Sequence, residues 1–392
     1  MDALLSPRHH DLRTTLELAV LDGELDSVDR DAEAAERDSQ DAFRAFALAV
    51  AKKLGNGGFF RHAVADVKTH KVDSRALCIT REEVAWASGL CDTLIAMQGL
   101  GSYPVALAGT GQLRDDLLSD AASGKRIGAF AITEQGAGSD VSAIATRAVR
   151  NGDDYVLTGS KTFISNAGIA DFYTIFARTG DGARGLTAFL VDGRAHGLST
   201  AHAITVNAPH VIGELVLDNV AVPSGNRLGE EGEGLRLAMA TLDRYRPSVG
   251  AAAVGFAQRA LDDSVSRVKN RVQFGRPLSE YQATQMRLAE MATDLEAARA
   301  LVYRAAHAAD EATARGDGHR TTREASMAKL WATEAAGRAC DMAVQVHGGY
   351  GYTKDFAVER YLRDVRVTRI YEGTSEVQRI VIARKTFEQA TQ

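Results

Sequence analysis

Ile127-Gly128-Ala129-Phe130-Ala131-Ile132-Thr133 is the stretch on which the organisation of this chain turns. It lacks the three-and-four spacing of a helix and runs into a loop-forming segment, so it reads as a strand. Downstream, Arg147 to Arg150 and Tyr155 to Thr158 flank Asn151-Gly152, a strong hairpin signal. Phe172 to Ala177, Leu186 to Val191 and Glu214 to Val220 read as further strands, punctuated by Gly and Asp. No long helical pattern interrupts them, which predicts an antiparallel β domain rather than a run of βαβ units. Pro223 with Gly225-Asn226 closes it.

Both flanks are helical. Up to about Ser123, Ser39 to Lys53 carries Ala42, Phe43, Phe46, Ala49 and Val50 at helical spacing, and Gly55-Asn56-Gly57-Gly58 stops it. Thr80 with Glu83 reads as a capping box, Cys91 to Gln98 as a short helix closed by Gly99 and Gly101, and Pro104 as the opening of the next. After Gly234, Leu235, Met239 and Leu242 share one face and Val249, Ala253, Phe256 and Ala260 another, with Pro247 expected to kink or break the helix. Leu288, Met291, Leu295, Ala298, Val302 and Ala305 form a near-heptad seam, and Thr321 to Val346 a third long, Ala-rich helix after the loop Gly316-Asp317-Gly318. The expected class is α+β: an N-terminal helical domain (1–124), a central antiparallel β domain (125–233) and a C-terminal bundle of four-helix type (234–392). Ala-rich bundle faces suit burial against another subunit. No G-x-G-x-x-G follows a strand and no P-loop occurs, so a nucleotide cofactor has to be bound another way.

Composition narrows the function. The 392 residues are too many for one ordinary core. The net charge of −5, with basic residues spread out, points away from nucleic acid. Three cysteines without a C-x-x-C argue against a disulfide framework and a structural zinc site, and no metal is expected. Met1-Asp2-Ala3-Leu4-Leu5 does not read as a leader, and no apolar run approaches a membrane span; a cytoplasmic protein is expected.

Five segments carry the chemistry. In Phe130 to Asp140 a strand ends in hydroxyls and glycines whose amides can meet a planar polar ligand, although such loops are common between strands. In Lys161-Thr162-Phe163-Ile164-Ser165, alternation puts Phe163 and Ser165 on one strand face, fit to cover a flat ring and hydrogen-bond it; alone, this pattern is more often core. Arg271-Val272-Gln273-Phe274-Gly275 breaks a helix with a cation suited to phosphate and an aromatic suited to stacking, or is a surface helix end. Gln345-Val346-His347-Gly348-Gly349 lets a ligand approach the backbone closely, while His347, a lone histidine at a helix end, reads as a capping or packed residue and is left out of the chemistry. Last comes Ile370-Tyr371-Glu372-Gly373-Thr374-Ser375-Glu376-Val377-Gln378-Arg379. Ser375 and Gln378 read as a capping box, so a helix begins at Ser375 or Glu376. Glu372 then sits in a turn loosened by Gly373, beside an aromatic that excludes water and strengthens a carboxylate base. On this segment alone an ordinary surface turn is the commoner reading.

Taken together, and with Arg360-Tyr361-Leu362-Arg363-Asp364, these segments resemble the acyl-CoA dehydrogenase family of flavoproteins over almost the whole chain, least well in residues 1–75. The resemblance implies FAD held between the β domain and the C-terminal bundle. Phe130, Ile132, Thr133, Gly138 and Ser139 then fall where the family contacts the flavin. At Phe163, Ile164 and Ser165 an aromatic packs on the ring and a hydroxyl meets its reactive nitrogen; family members often carry Trp and Thr at two of these positions. Arg271, Gln273 and Phe274, with Gln345, Val346, Gly348 and Gly349, fall where the family binds the ADP half across a subunit interface, and Thr374 and Glu376 at a helix start suited to pyrophosphate. Ser139, Asp243, Arg246, Tyr371 and Gly373 are implied in binding acyl-CoA.

The implied reaction is FAD-dependent α,β-dehydrogenation of an acyl-CoA thioester to the trans-2-enoyl-CoA. Glu372 removes the α-proton, the flavin accepts the β-hydride, and the Glu372 N–H bonds the thioester oxygen. Tyr245 stands where some family members carry the base, which leaves Glu372 as the candidate. A homotetramer (a dimer of dimers) and an electron-transfer flavoprotein as electron acceptor are implied as well. The competing readings are an acyl-CoA oxidase or a flavin monooxygenase on the same fold, or an assembly protein with a vestigial site. A retained carboxylate counts against the monooxygenase.

Overall fold

This computed structural model describes residues 4–390, excepting Glu24, Asp26, Asp317, His319 and the side chain of Ala183. The centre of the expected loop 316–318 and residues 1–3, which bear on the reading of the N-terminus, thus lie outside the described residues. Six helices come first: α1 (Pro7–Leu21), α2 (Val28–Asp38), α3 (Gln40–Asn56), α4 (Ser74–Ala87), α5 (Gly89–Ala108) and α6 (Gly111–Ala122). Eight strands follow: β1 (Gly128–Ala131), β2 (Arg147–Asn151), β3 (Asp154–Ser165), β4 (Phe172–Arg178), β5 (Leu186–Asp192), β6 (Leu198–Ala203), β7 (Ile212–Pro223) and β8 (Arg227–Leu228). Then come α7 (Gly234–Asn270), the small hairpin β9 (Val272–Gln273) and β10 (Arg276–Pro277), α8 (Gln282–Arg315), α9 (Thr322–His347), α10 (Val358–Arg366) and α11 (Ser375–Ala390). The order is α, β, α, as the patterning predicts.

The chain forms two compact units. One comprises residues 1–26, 74–89 and 246–392; the other comprises 27–73 and 90–245. The second unit holds the eight-stranded sheet, in the order β6-β7-β3-β2-β4-β5-β8 with β1 beside β4. The Asn-Gly hairpin forms as expected: Arg147 faces Thr158, Asn151 faces Asp154, and Gly152 takes the left-handed backbone at φ +62°. The sheet is mostly antiparallel but not wholly so. β1 runs parallel to β4, from Gly128 opposite Phe172 to Ala131 opposite Ile175, and β2 touches β4 in parallel at Arg147 and Arg178. The β2–β3 hairpin lies between β1 and β4 in sequence and returns the chain to its starting direction. Patterning misses β6 because it is an edge strand, Leu-Ser-Thr-Ala-His-Ala, with no buried side chain. Tyr155, Leu157, Ile164, Ile175, Phe189 and Leu217 lie at the centre of the core beneath the sheet.

Three local expectations fail, each because packing overrides a local signal. α5 runs on through Gly99, Gly101 and Pro104. A Cβ at Gly99 would come within 2.3 Å of the Tyr245 ring, and one at Gly101 within 2.7 Å of the Ala129 amide, so these glycines serve close approach rather than termination. Thr80 lies inside α4, where its hydroxyl donates to the Ala76 carbonyl; the helix is capped instead by Asp310, which accepts from the amides of Ser74 (2.7 Å) and Arg75 (3.3 Å). Of the kink or break expected at Pro247, the break does not occur: α7 is one helix through it, flanked by buried Val249, Ala251 and Ala252, whose packing outweighs one lost hydrogen bond. In the first unit the α8 seam of Met291, Leu295, Ala298, Val302 and Ala305 is buried, as is the Ala face of α9. Among the described residues no helix is long and apolar enough to cross a membrane.

Candidate active site

Three constellations hold the expected residues, two in the first unit and one in the second. The first is the turn before α11. Glu372 takes a left-handed backbone (φ +52°) and Gly373 follows at +97°. For a non-glycine residue that conformation costs about 1–3 kcal/mol and persists only when its surroundings impose it. Three donors do so. Arg246 Nε donates to the Glu372 carbonyl (3.0 Å), Lys329 Nζ to the Gly373 carbonyl (2.8 Å), and Gln378 Nε2 to Gly373 (3.1 Å) and Glu372 (3.4 Å). Helix α11 begins at Ser375 as expected, but the capping box does not form. Thr374 is the cap, accepting from the Val377 amide (3.3 Å), while the Ser375 hydroxyl donates to Glu334 (2.6 Å) and Gln378 is spent on the turn. The amides of this helix start and the Thr374 hydroxyl hold the Glu376 carboxyl below its ordinary range. Lys329 is wholly buried. Burial pulls its ammonium down to about 8, against the Glu372 charge, which holds it up.

The second constellation is a groove of about 450 Å³ whose lining includes Arg267, Arg271, Gln273, Val346, Gly348 and Gly349. Two segments some seventy residues apart in the chain thus meet. A Cβ at Gly348 or Gly349 would meet nothing within 4 Å, so the backbone there is open to a ligand. Arg267 stacks on Tyr350, 4.8 Å from the ring centre. Gln345 is exposed, and Phe274, at the tip of the β9–β10 hairpin with φ +52°, is 97% exposed. His347 is packed, as expected: Nδ1 lies 2.8 Å from the Ala343 carbonyl, the ring faces Phe356, and burial lowers its pKa.

The third lies on the sheet. After β1 the chain closes a tight loop, with Glu134 and Ala137 exchanging backbone hydrogen bonds. Glu134 anchors the loop from inside, accepting from Lys161 Nζ (2.7 Å) and from the amides of Ala145 (2.6 Å) and Thr146 (3.0 Å). Burial pushes the Glu134 carboxyl up, but these donors outweigh it and hold it below its ordinary value; burial pulls Lys161 down to about 8. The loop's outer residues, Gly136, Gly138 and Ser139, are exposed. Half-buried Phe130 stacks on Phe176, and the Thr133 carbonyl accepts from the Thr162 amide. Simple alternation fails in β3, where a bulge between Lys161 and Ile164 puts Phe163 at φ +54°, 58% exposed. Ile164 points into the core at 1% exposure, and its carbonyl accepts from the Ala167 amide. Ser165 meets His210 Nε2 at 2.8 Å, and burial draws that imidazole down to about 4. Asp243, on α7, is buried; the Tyr245 hydroxyl is spent on the Ala63 carbonyl (2.6 Å).

Taken separately, these features suit parts of a flavin nucleotide: in the second unit an outward aromatic suited to a flat ring, and in the first an open glycine backbone and a groove carrying two guanidinium groups suited to phosphate. Sequence reasoning misses Lys329, Gln378, Arg267, Glu134 and His210. Only Lys329 leaves a signal, as a lone cation among Ala325, Ala328, Ala332 and Ala336 on the buried face of α9.

Residues 129–220 match the family model described as acyl-CoA dehydrogenase, middle domain, and residues 232–387 the one described as acyl-CoA dehydrogenase, C-terminal domain. The chain is 42% identical over 317 residues to a cyclohexane-1-carbonyl-CoA dehydrogenase of Geobacter metallireducens, covering 80% of this chain and 82% of that one. It is 40% identical over 353 residues to a subunit of the caffeyl-CoA reductase-Etf complex of Acetobacterium woodii, covering 88% of each. Among solved structures, butyryl-CoA dehydrogenase from Megasphaera elsdenii superposes with a TM-score of 0.87 at 32% identity, over 98% of this chain and 99% of that one. On the fold, the site residues and these likenesses, the chain belongs to the acyl-CoA dehydrogenase family, flavin-dependent oxidoreductases that act on CH–CH bonds.

Proposed function

We propose that the protein dehydrogenates an acyl-CoA thioester between its α- and β-carbons, giving the trans-2-enoyl-CoA, with Glu372 as the base. The observation that carries this reading is the Glu372 turn: a carboxylate on a strained backbone whose carbonyl, with that of Gly373, is held by Arg246, Gln378 and Lys329. Such strain is retained where a side chain must be aimed. A thioester acidifies its α-carbon only modestly, so the base has to be positioned and kept from water. Glu372 takes the α-proton; its backbone N–H and Arg246 orient the thioester end, and Tyr371 and Gly373 border it. Asp243 and Ser139 hold the CoA arm.

FAD, when bound, supplies the acceptor for the β-hydride. Phe163 would cover its ring, and Ser165 would donate a hydrogen bond to it. The backbone of Ile132, Thr133, Gly138 and Ile164 borders the ring, beside Phe130. Arg271, Gln273, Phe274, Gln345, Val346, Gly348 and Gly349 hold the ADP half, and Thr374 and Glu376 stand at the start of α11. The relative in a reductase–Etf complex supports an electron-transfer flavoprotein as the redox partner. Relatives named for cyclohexane-1-carbonyl-CoA and caffeyl-CoA put ring-bearing acyl groups first among substrates to try.

The test is anaerobic flavin bleaching by butyryl-, octanoyl- and cyclohexane-1-carbonyl-CoA. Bleaching by at least one of them, followed by slow reoxidation in air, is expected; fast reoxidation favours the oxidase. Glu372→Gln should bind FAD yet lose bleaching by about a thousandfold or more, the scale of a general base together with its alignment. Retained bleaching refutes Glu372 as the base.

A further inference from the structure

We propose that Lys329 is a positioning residue for the reaction: it clamps the turn that carries Glu372 and places a buried positive charge beside that carboxylate, keeping it ionised and aimed. This rests on the reading of Glu372 as the base. Lys329 lies on the apolar face of α9, wholly buried, where a cation is costly and is kept only with partners. Its ammonium donates at 2.8 Å to the Gly373 carbonyl, one residue past the base. Gln378 holds the same carbonyl and Arg246 the preceding one, so two successive carbonyls of a strained turn are pinned from α9, α11 and α7. Three charged groups besides Glu372 bear on the ammonium: Arg246 from α7, Glu334 from α9 itself and Glu376 from α11. Glu372 is the strongest of the four, and its attraction is reciprocal. Glu334 is engaged by Ser375 and Arg369, and Glu376 by its own helix start.

The charge has a pH range. Burial brings the ammonium to about 8, so its proton leaves just above neutrality and the carboxylate then loses its neighbour. Lys329 therefore adds its own inflection near pH 8 to any rate that depends on Glu372, separate from the acid limb of Glu372 itself.

The experiment follows loss of the α-proton alone, as exchange into deuterated buffer, on FAD-loaded protein. The probes are 3-thiabutanoyl-CoA and 3-thiaoctanoyl-CoA, whose β-position carries sulfur and no hydride. Lys329→Met removes the charge at similar volume; Lys329→Arg keeps a charge that does not titrate. In Lys329→Met the acid limb should move up by about one pH unit, so that exchange approaches a tenfold fall at the acid end of the profile and converges on wild type above the limb. In Lys329→Arg the acid limb should stay in place. Both should lose the inflection near pH 8. Flavin content and melting temperature report whether Lys329→Met folds, and the Arg variant carries the test if it does not. A Met variant that folds with the wild-type profile, or an Arg variant that keeps the inflection, overturns the proposal. Exchange that survives Glu372→Gln, or is absent from the wild type, overturns the base reading instead, so the two failures are told apart.

Discussion

At the residue scale, Glu372 shows what a sequence carries and what it leaves out. Glu372-Gly373 ahead of a helix marks a turn, and the resemblance marks a base. Neither says that Glu372 itself takes the left-handed backbone, because that depends on Arg246 and Lys329, from two helices remote in sequence, together with Gln378 on the adjoining α11. Strain at a functional residue should show as a trade between stability and activity. Replacing Glu372 by Gly removes a Cβ from a disfavoured conformation, worth about 1–2 kcal/mol, while freeing the unfolded chain by about 0.5–1 kcal/mol. Because Glu372→Gly also removes the carboxylate that Lys329 faces, the comparison belongs above about pH 9, where Lys329 is neutral; there Glu372→Gly is expected to be at least as stable as wild type in urea unfolding, with α-proton exchange gone. A loss of more than about 1 kcal/mol would mean that the Glu372 side chain stabilises the turn and the strain argument is wrong. Phe163 follows the same logic. An aromatic and a hydroxyl two apart are legible in sequence, but the bulge that turns the aromatic outward depends on pairing with β7.

At the scale of elements, long periodic segments are legible and their ends are not. The α8 seam and the Ala face of α9 follow from spacing, and the Asn-Gly hairpin from turn chemistry. The ends of α4 and α5 do not, because an aspartate from another helix caps one and close packing threads glycines through the other. The junction of α1, α4 and α8 yields a prediction about pH. Glu82 accepts from Tyr303 (2.6 Å), Arg299 (2.8 Å) and Arg13 (3.3 Å), and Arg13 also lies 3.6 Å from Glu83. Burial first, and then the Glu82 charge, push the Glu83 carboxyl from 4.5 up to about 8, with Arg13, Glu17 and Arg299 also bearing on it. A carboxyl whose folded value lies above its unfolded one binds its proton more tightly in the folded state. Its contribution is complete below about 4.5 and is lost as pH climbs toward 8. Glu83→Gln keeps the neutral form at every pH. Relative to wild type it should gain nothing at pH 4.5 and more than about 1 kcal/mol at pH 8, read as a melting temperature that separates from wild type with rising pH. A difference independent of pH would show that Glu83 is ionised throughout.

At the scale of the whole molecule, the α–β–α order is the feature most legible in the sequence, since it needs only the change of hydrophobic period near Arg126 and again near Gly234. The grouping of 74–89 with the C-terminal helices, and of 27–73 with the sheet, is set by contacts remote in sequence that no local pattern encodes. Assembly is where the large exposed apolar residues bear. On α11, Ile380 is 67% exposed and Phe387 70%, seven residues apart on one face, and on α8 Met286 is 60% exposed. Scattered apolar residues are ordinary on a surface; two large ones in register along one helix mark a face suited to burial against another chain. With the tetramer that the family resemblance implies, light scattering should give four times the 42.0 kDa chain mass. Ile380→Glu with Phe387→Glu puts two charges on that face, and burying an unpaired charge costs several kcal/mol per site. The variant should run at a lower mass with unchanged helical circular dichroism. A mass still four times that of the chain would place the subunit contacts away from α11, and a single-chain mass for the wild type would remove the oligomer altogether.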